Sequence, residues 1–221
     1  MFTEELEFYI LMIPVLLISL TFHEFSHGYI AWRLGDNTAK DAGRLTLNPL
    51  KHLDPIGTLM MFVARIGWAK PVPVDPSAFK DKKKGMMLTS IAGPMSNLLM
   101  AFIVVFPLQV VFAVGFSSID TGTGAVYWLF KFLALLFYVN INLAVFNLFP
   151  IPPLDGSKIL SAVLPTDLYF RFMRYEQFIG LAFLVIVMIF GEKFGEVIGF
   201  FTEPISNSMM WIAAKVVGLF L

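Results

Sequence analysis

The chain has 221 residues, of which 57% are hydrophobic and only 14% charged, where an ordinary soluble domain carries about a quarter charged residues. With a mean hydropathy of +0.76 it holds more apolar surface than one soluble core can hide, which makes lipid the solvent for much of it. The absence of cysteine excludes disulfides and Cys-ligated metals, and 16 basic against 16 acidic residues leave no electrostatic case for nucleic-acid binding.

The first seven residues include Glu4, Glu5 and Glu7 but no basic residue, so they lack the positive region of a secretory signal and are expected to stay on the mature protein. From Phe8 to Trp32 runs a stretch with a single charge, Glu24, long enough as a helix to cross a bilayer with some tilt. Pro14 is a candidate kink, and Gly35-Asp36 closes the helix because glycine supplies the left-handed cap. Between Arg33 and Lys84 the pattern changes. Gly43 to Pro49 and Trp68 to Val74 are short, proline-bounded and partly alternating, which predicts two strands and a small sheet whose exposed edge could pair with an unwound peptide. Ile56 to Ile66, between them, is too short to span and predicts a re-entrant segment. Uncharged runs at Gly85 to Phe116 and Phe132 to Phe149 are further spans. Phe178 to Gly191 and Val197 to Leu221 could span, re-enter or lie at the interface. The expected fold is a polytopic α-helical membrane protein of about four to six spans, with a small membrane-associated β-hairpin after the first core helix. One domain is expected over 1–221, with 8–160 as the core and 161–221 as C-terminal helices. Thirteen of the sixteen Lys and Arg residues flank one side of these spans, which the positive-inside rule makes cytoplasmic. Lys131 can snorkel to the opposite interface.

Two of the three histidines lie inside the first span in the run His23-Glu24-Phe25-Ser26-His27. Positions i and i+4 share a helix face, so both imidazoles can reach one zinc ion while Glu24 sits beside its open position. A charged residue at the centre of a span costs about 2.5–3.5 kcal/mol, so such residues are functional by default; the plainer alternative is a polar cluster that only packs helices. Catalytic zinc usually takes three protein ligands. The third is either His52, in a polar loop, or a carboxylate. Among the carboxylates Asp155 stands out, because it ends the run Asn147 to Gly156 at the close of a span, where three prolines stop the helix. Taken alone, Leu154-Asp155-Gly156 would read as an ordinary turn. For Asn140 and Asn142, interhelical hydrogen bonding in lipid is the favoured reading.

His23 to His27, together with Asn147 to Gly156, resembles the site-2 protease family of intramembrane zinc metalloproteases. Gly93-Pro94-Met95-Ser96-Asn97 resembles that family's Gly-x-x-x-Asn element. The resemblance covers about Phe8 to Leu160. It implies one zinc ion per chain held by His23, His27 and Asp155, Glu24 as catalytic base, and Asn147 beside the metal, holding the scissile carbonyl or oxyanion. It also implies a transmembrane protein substrate, cleaved within the bilayer of a prokaryotic inner membrane; the Lys and Arg distribution puts the motif in the cytoplasmic half of its helix, with the site open to that side. Family members often carry a PDZ or CBS domain; the chain has room for neither and looks like a minimal core. Two other readings compete. One is a zinc-binding membrane transporter or scaffold, against which stands Glu24, for which pure binding has little need. The other is a membrane-anchored zinc peptidase acting on soluble segments, with Glu176 or Asp54 as third ligand.

Overall fold

The computed structural model describes residues 2–64, 67–165, 168, 171 and 174–220, and among these the chain is mostly helical. Helix α1 covers Phe2–Arg33 and runs through Pro14. It ends where Gly35 turns to a φ of +107°, as the sequence predicts. The short α2 (Thr38–Asp41) and α3 (Pro55–Ala64) follow. Then come α4 (Lys82–Val114), α5 (Phe116–Thr121) and α6 (Gly124–Leu148), and after them α7 (Asp155–Val163), α8 (Glu176–Ile189) and α9 (Gly191–Val217).

Three helices, α1, α4 and α6, are long and apolar enough to cross a membrane, and α8 with α9 adds a fourth if that broken pair counts as one span. The upper part of the expected range of four to six is therefore not reached. The reason is length and charge. The 14 residues of α8 rise about 21 Å, short of a hydrocarbon core of about 30 Å, and α9 carries Glu192, Lys193, Glu196, Glu203 and Lys215. The expected re-entrant piece forms α3 as far as Ala64; its end at Ile66 lies outside the described residues.

The expected β-hairpin is a correction. No strand forms among the described residues; the one antiparallel bridge among them, Leu53 to Ala69, starts outside the first predicted segment, which meets the second through a side chain, Arg44 Nη2 donating to the Lys70 carbonyl. Pro49, Pro71 and Pro73 cannot donate to a ladder, and several other donors in and beside these segments are spent elsewhere. The Asn48 N–H bonds the Thr46 hydroxyl, the Val72 N–H bonds the Glu24 carboxylate and the Asp75 N–H bonds the Asp36 carboxylate.

The chain divides into two compact units. The first comprises Met1–Ser19, Asn97–Val145 and Gly195–Leu221. Its interior holds Val15, Ala101, Val105, Phe137, Ile141 and Ala144, while Leu99 and Ile103 on α4 are each 59% exposed, the pattern of a bundle whose outer solvent is lipid. Small residues let the helices approach closely, and a polar network joins them. The Asn97 amide donates to the Asn140 carbonyl oxygen at 2.7 Å and to the Ser19 backbone carbonyl at 3.2 Å. Asn140 donates to the Ser19 hydroxyl and to the Leu136 carbonyl, both at 2.8 Å. Asn140 is thus the interhelical tie expected of it. Asn142 is exposed and bonds Tyr138 of its own helix.

The second unit, Leu20–Ser96 and Phe146–Phe194, contains the end of α1, the start of α4 and the turn between α6 and α7. Phe146, Phe183 and Phe194 cluster at 5.5–6.0 Å between ring centroids and hold α8 in this unit. Asn140→Ala should lower stability by about 1–2 kcal/mol, because it strands partners on Asn97 and Ser19 in an apolar interior. Asn142→Ala should change it by less than about 0.5 kcal/mol. Reversible unfolding in detergent micelles measures both.

Candidate metal centre

Residues one helical turn apart lie one above the other, and in α1 this sets His23 and His27 edge to face, with ring centroids 4.6 Å apart and planes at 84°. Their Nε2 atoms are 3.0 Å apart. Asp155, the first residue of α7, puts Oδ2 3.1 Å from each of those nitrogens. All three side chains are buried, and they form the metal-competent group found among the described residues. Ligands at about 2.0–2.1 Å around a tetrahedral zinc lie about 3.3 Å apart. The observed triangle is within a few tenths of an ångström of that size, so the residues fit the metal.

The donor chemistry agrees with the geometry. The His27 Nδ1–H donates to the Thr89 carbonyl at 2.7 Å, which in a neutral ring leaves the Nε2 lone pair facing the triangle, the usual outer bond of a metal-binding histidine. Lone pairs this close repel unless a proton or a metal ion lies between them. Burial by itself would raise the Asp155 carboxyl; protonated imidazoles beside it, through the charge on His27 and hydrogen bonds from both rings, pull it well below the ordinary carboxylate range, and a metal cation in the protons' place would act in the same direction. Lys158, one turn further along α7, lies 3.9 Å from the other carboxylate oxygen.

Local sequence explains why the three meet. A Cβ at Gly93 of α4 would collide with His27 Nε2 and would stand 2.6 Å from His23 Cε1, so only glycine leaves room for the two rings against α4. A Cβ at Gly156 would collide with the carbonyls of Leu148 and Phe149. Glycine there lets the start of α7 fold back on the end of α6, across the proline turn, and so delivers Asp155. Glu24 is half-buried, and its Oε2 accepts the Val72 N–H at 2.8 Å. Asn147 is half-buried in the last turn of α6, eight residues before Asp155 in the chain.

The other candidates lie elsewhere. His52 is buried, and its Nε2–H donates to the Thr46 carbonyl at 2.8 Å, so this histidine braces the 44–53 loop and stands outside the metal-competent group. Asp54 accepts the Gly57 N–H and caps α3; neither it nor Glu176 belongs to the group. Two contributors are not evident from sequence reasoning: Thr89 through its carbonyl and Val72 through its N–H, since a backbone group carries no residue signature. Gly93 is singled out in the sequence as part of the Gly-x-x-x-Asn element, but what its missing side chain does, leaving room for the two rings, is visible only in the structure.

A buried His-His-Asp group that starts in a spanning helix defines a multi-pass membrane metalloprotein. A family profile described as Peptidase family M50 matches residues 114–188. The chain is 38% identical over 201 residues to the "Putative zinc metalloprotease YwhC" of Bacillus subtilis, covering 90% of this chain and 84% of that one. It is 30% identical over 185 residues to the "Putative zinc metalloprotease Rip2" of Mycobacterium tuberculosis, covering 82% and 67%, and 26% identical over 185 residues to the archaeal "Zinc metalloprotease MJ0392" of Methanocaldococcus jannaschii, covering 83% and 43%. No solved structure matches. The chain belongs to peptidase family M50, the site-2 protease family, and its substrate is a protein.

Gly93→Ala should cut zinc affinity on the order of 10–100-fold, because the methyl group occupies the place of the ligand rings. Gly195→Ala, with open space around the new methyl, should leave it unchanged. Zinc titration against a competing chelator distinguishes the two.

Proposed function

We propose that the chain is a single intramembrane endopeptidase domain that cleaves transmembrane segments of single-span membrane proteins, with one zinc ion per chain held by His23, His27 and Asp155. The observation that carries this reading is the position of the donor triangle. Two of its three members sit in α1, a helix long and apolar enough to span, so the peptide bond to be cut is brought to membrane depth.

Zinc at this site supplies a Lewis acid, which acidifies water and polarises a peptide carbonyl. Glu24, one residue from His23, takes a proton from the attacking water on its carboxylate and returns it to the leaving nitrogen as the C–N bond breaks. The Asn147 amide donates a hydrogen bond to the carbonyl oxygen as negative charge develops there, a contribution on the order of a hundredfold or more in rate. His27, fixed through Thr89, and Asp155, delivered by the Gly156 turn, keep the ligand atoms in place so that little reorganisation accompanies the reaction. The distribution of Lys and Arg supports a cytoplasmic opening in a prokaryotic cell membrane.

Two measurements on purified protein test the reading: zinc content, and cleavage of a single-span reporter beside a soluble peptide of the same sequence. Glu24→Gln should keep zinc and lose cleavage by at least about 10²–10⁴-fold, and Asp155→Ala should lose zinc. Retained cleavage by Glu24→Gln would contradict the base assignment. Equal cleavage of the soluble peptide would favour a membrane-anchored peptidase.

A further inference from the structure

We propose that Pro71-Val72-Pro73 is a rigid strap whose one N–H group aims the Glu24 carboxylate, which makes the Val72 backbone a positioning element of the active site. The inference rests on Glu24 acting as the base.

Proline carries no N–H, so Val72 holds the only backbone donor in the tripeptide, and that donor goes to Glu24 Oε2 at 2.8 Å. The direction of the N–H is over-determined. Lys70 and Val72 each precede a proline, which excludes helical backbone at both, and Pro71 and Pro73 have fixed φ. Few conformations remain for thermal motion to sample, so holding the donor in place costs little entropy.

Both ends of the strap are anchored. The Lys70 N–H bonds the His52 carbonyl at 2.8 Å, and the Lys70 carbonyl accepts from Arg44 Nη2 at 2.6 Å. Beyond the second proline, the Asp75 N–H bonds Asp36 Oδ2 at 2.8 Å, while Asp36 Oδ1 accepts the Thr38 N–H at 2.9 Å. Asp36 is 1% exposed, so both of its oxygens are committed to this brace. The middle of the strap is seated on α1. A Cβ at Gly28, one turn after Glu24, would come within 3.2 Å of Val72 Cγ1, tight enough that a larger residue would lift the strap away. His23 and His27 thus face the metal group, while Glu24 and Gly28 face the strap. Without it, the half-buried Glu24 side chain has three rotatable torsions and no other hydrogen bond among the described residues to fix its aim; with it, one carboxylate oxygen is held and the other is left for the proton in transit.

The test compares Val72→Pro, which removes the N–H, with Val72→Ala, which keeps it and trims the side chain. In the zinc-loaded protein, Val72→Pro should lower kcat on the order of 10–100-fold with KM within about twofold and zinc content at the wild-type level. Val72→Ala should lose no more than about fivefold. A wild-type kcat in Val72→Pro overturns the inference, and so does an equal loss in Val72→Ala, which would mean that packing and not the donor matters. If Val72→Pro does not fold, Asp36→Asn decides. It releases one end of the strap and should lower kcat about 3–10-fold with zinc content and KM unchanged; an unimpaired kcat overturns the inference. Glu24→Gln separates the two levels. Cleavage that survives it removes the base assignment and the strap's role together, whereas an inactive Glu24→Gln beside an unimpaired Val72→Pro overturns the strap alone.

Discussion

Two imidazoles one turn apart on one helix can point at a common ion only if the opposing helix offers no side chain at that place. Gly93 of α4 meets this condition against His23 and His27, and the rest of the centre depends on it. With the rings seated there, Thr89 of the same helix can accept the His27 Nδ1–H and turn the free nitrogen inward. Asp155 then completes the triangle from the start of α7, through a turn that a second glycine, Gly156, makes tight enough. Each of these is a short-range packing fact, yet their joint effect is electrostatic. Two nitrogens and a carboxylate oxygen converge in a buried place, where an unpaired charge is costly and a bound cation is correspondingly favoured.

The sequence and the structure agree where a periodicity or a long apolar run speaks. The i, i+4 spacing of His23 and His27 needs only helix geometry, and the apolar runs behind α1, α4 and α6 follow from the thickness of a bilayer. Asp155 was legible only as one carboxylate among several, singled out by its prolines, because a turn motif does not say where its carboxylate is delivered. His52 could not be set aside until its ring was seen bonded to Thr46. The expected hairpin failed for a definite reason. Alternation and proline boundaries describe an extended chain, but extended chain becomes sheet only if its N–H groups meet carbonyls, and those of Val72 and Asp75 meet carboxylates instead.

That failure carries information about the chemistry. A segment rich in proline between two helices looks like a connection, and a strand would have made it a docking edge. What it does is hold: its donors are directed at Glu24 and at the buried Asp36 that braces the turn after α1. The acidic side chain to which we assign the proton transfers is therefore fixed from outside its own helix, as is the His23, His27 and Asp155 triangle, by Thr89, Gly93 and Gly156. At this site the polar groups are placed by neighbours that contribute only backbone or the space a glycine leaves.

Zinc K-edge X-ray absorption of the loaded protein reads the metal's coordination shell directly. It should show two imidazole nitrogens with oxygen completing the shell, and loss of one imidazole in His27→Ala but of none in His52→Ala. A shell with three imidazoles, or one that loses an imidazole in His52→Ala, would overturn the assignment of His23, His27 and Asp155 as the ligands.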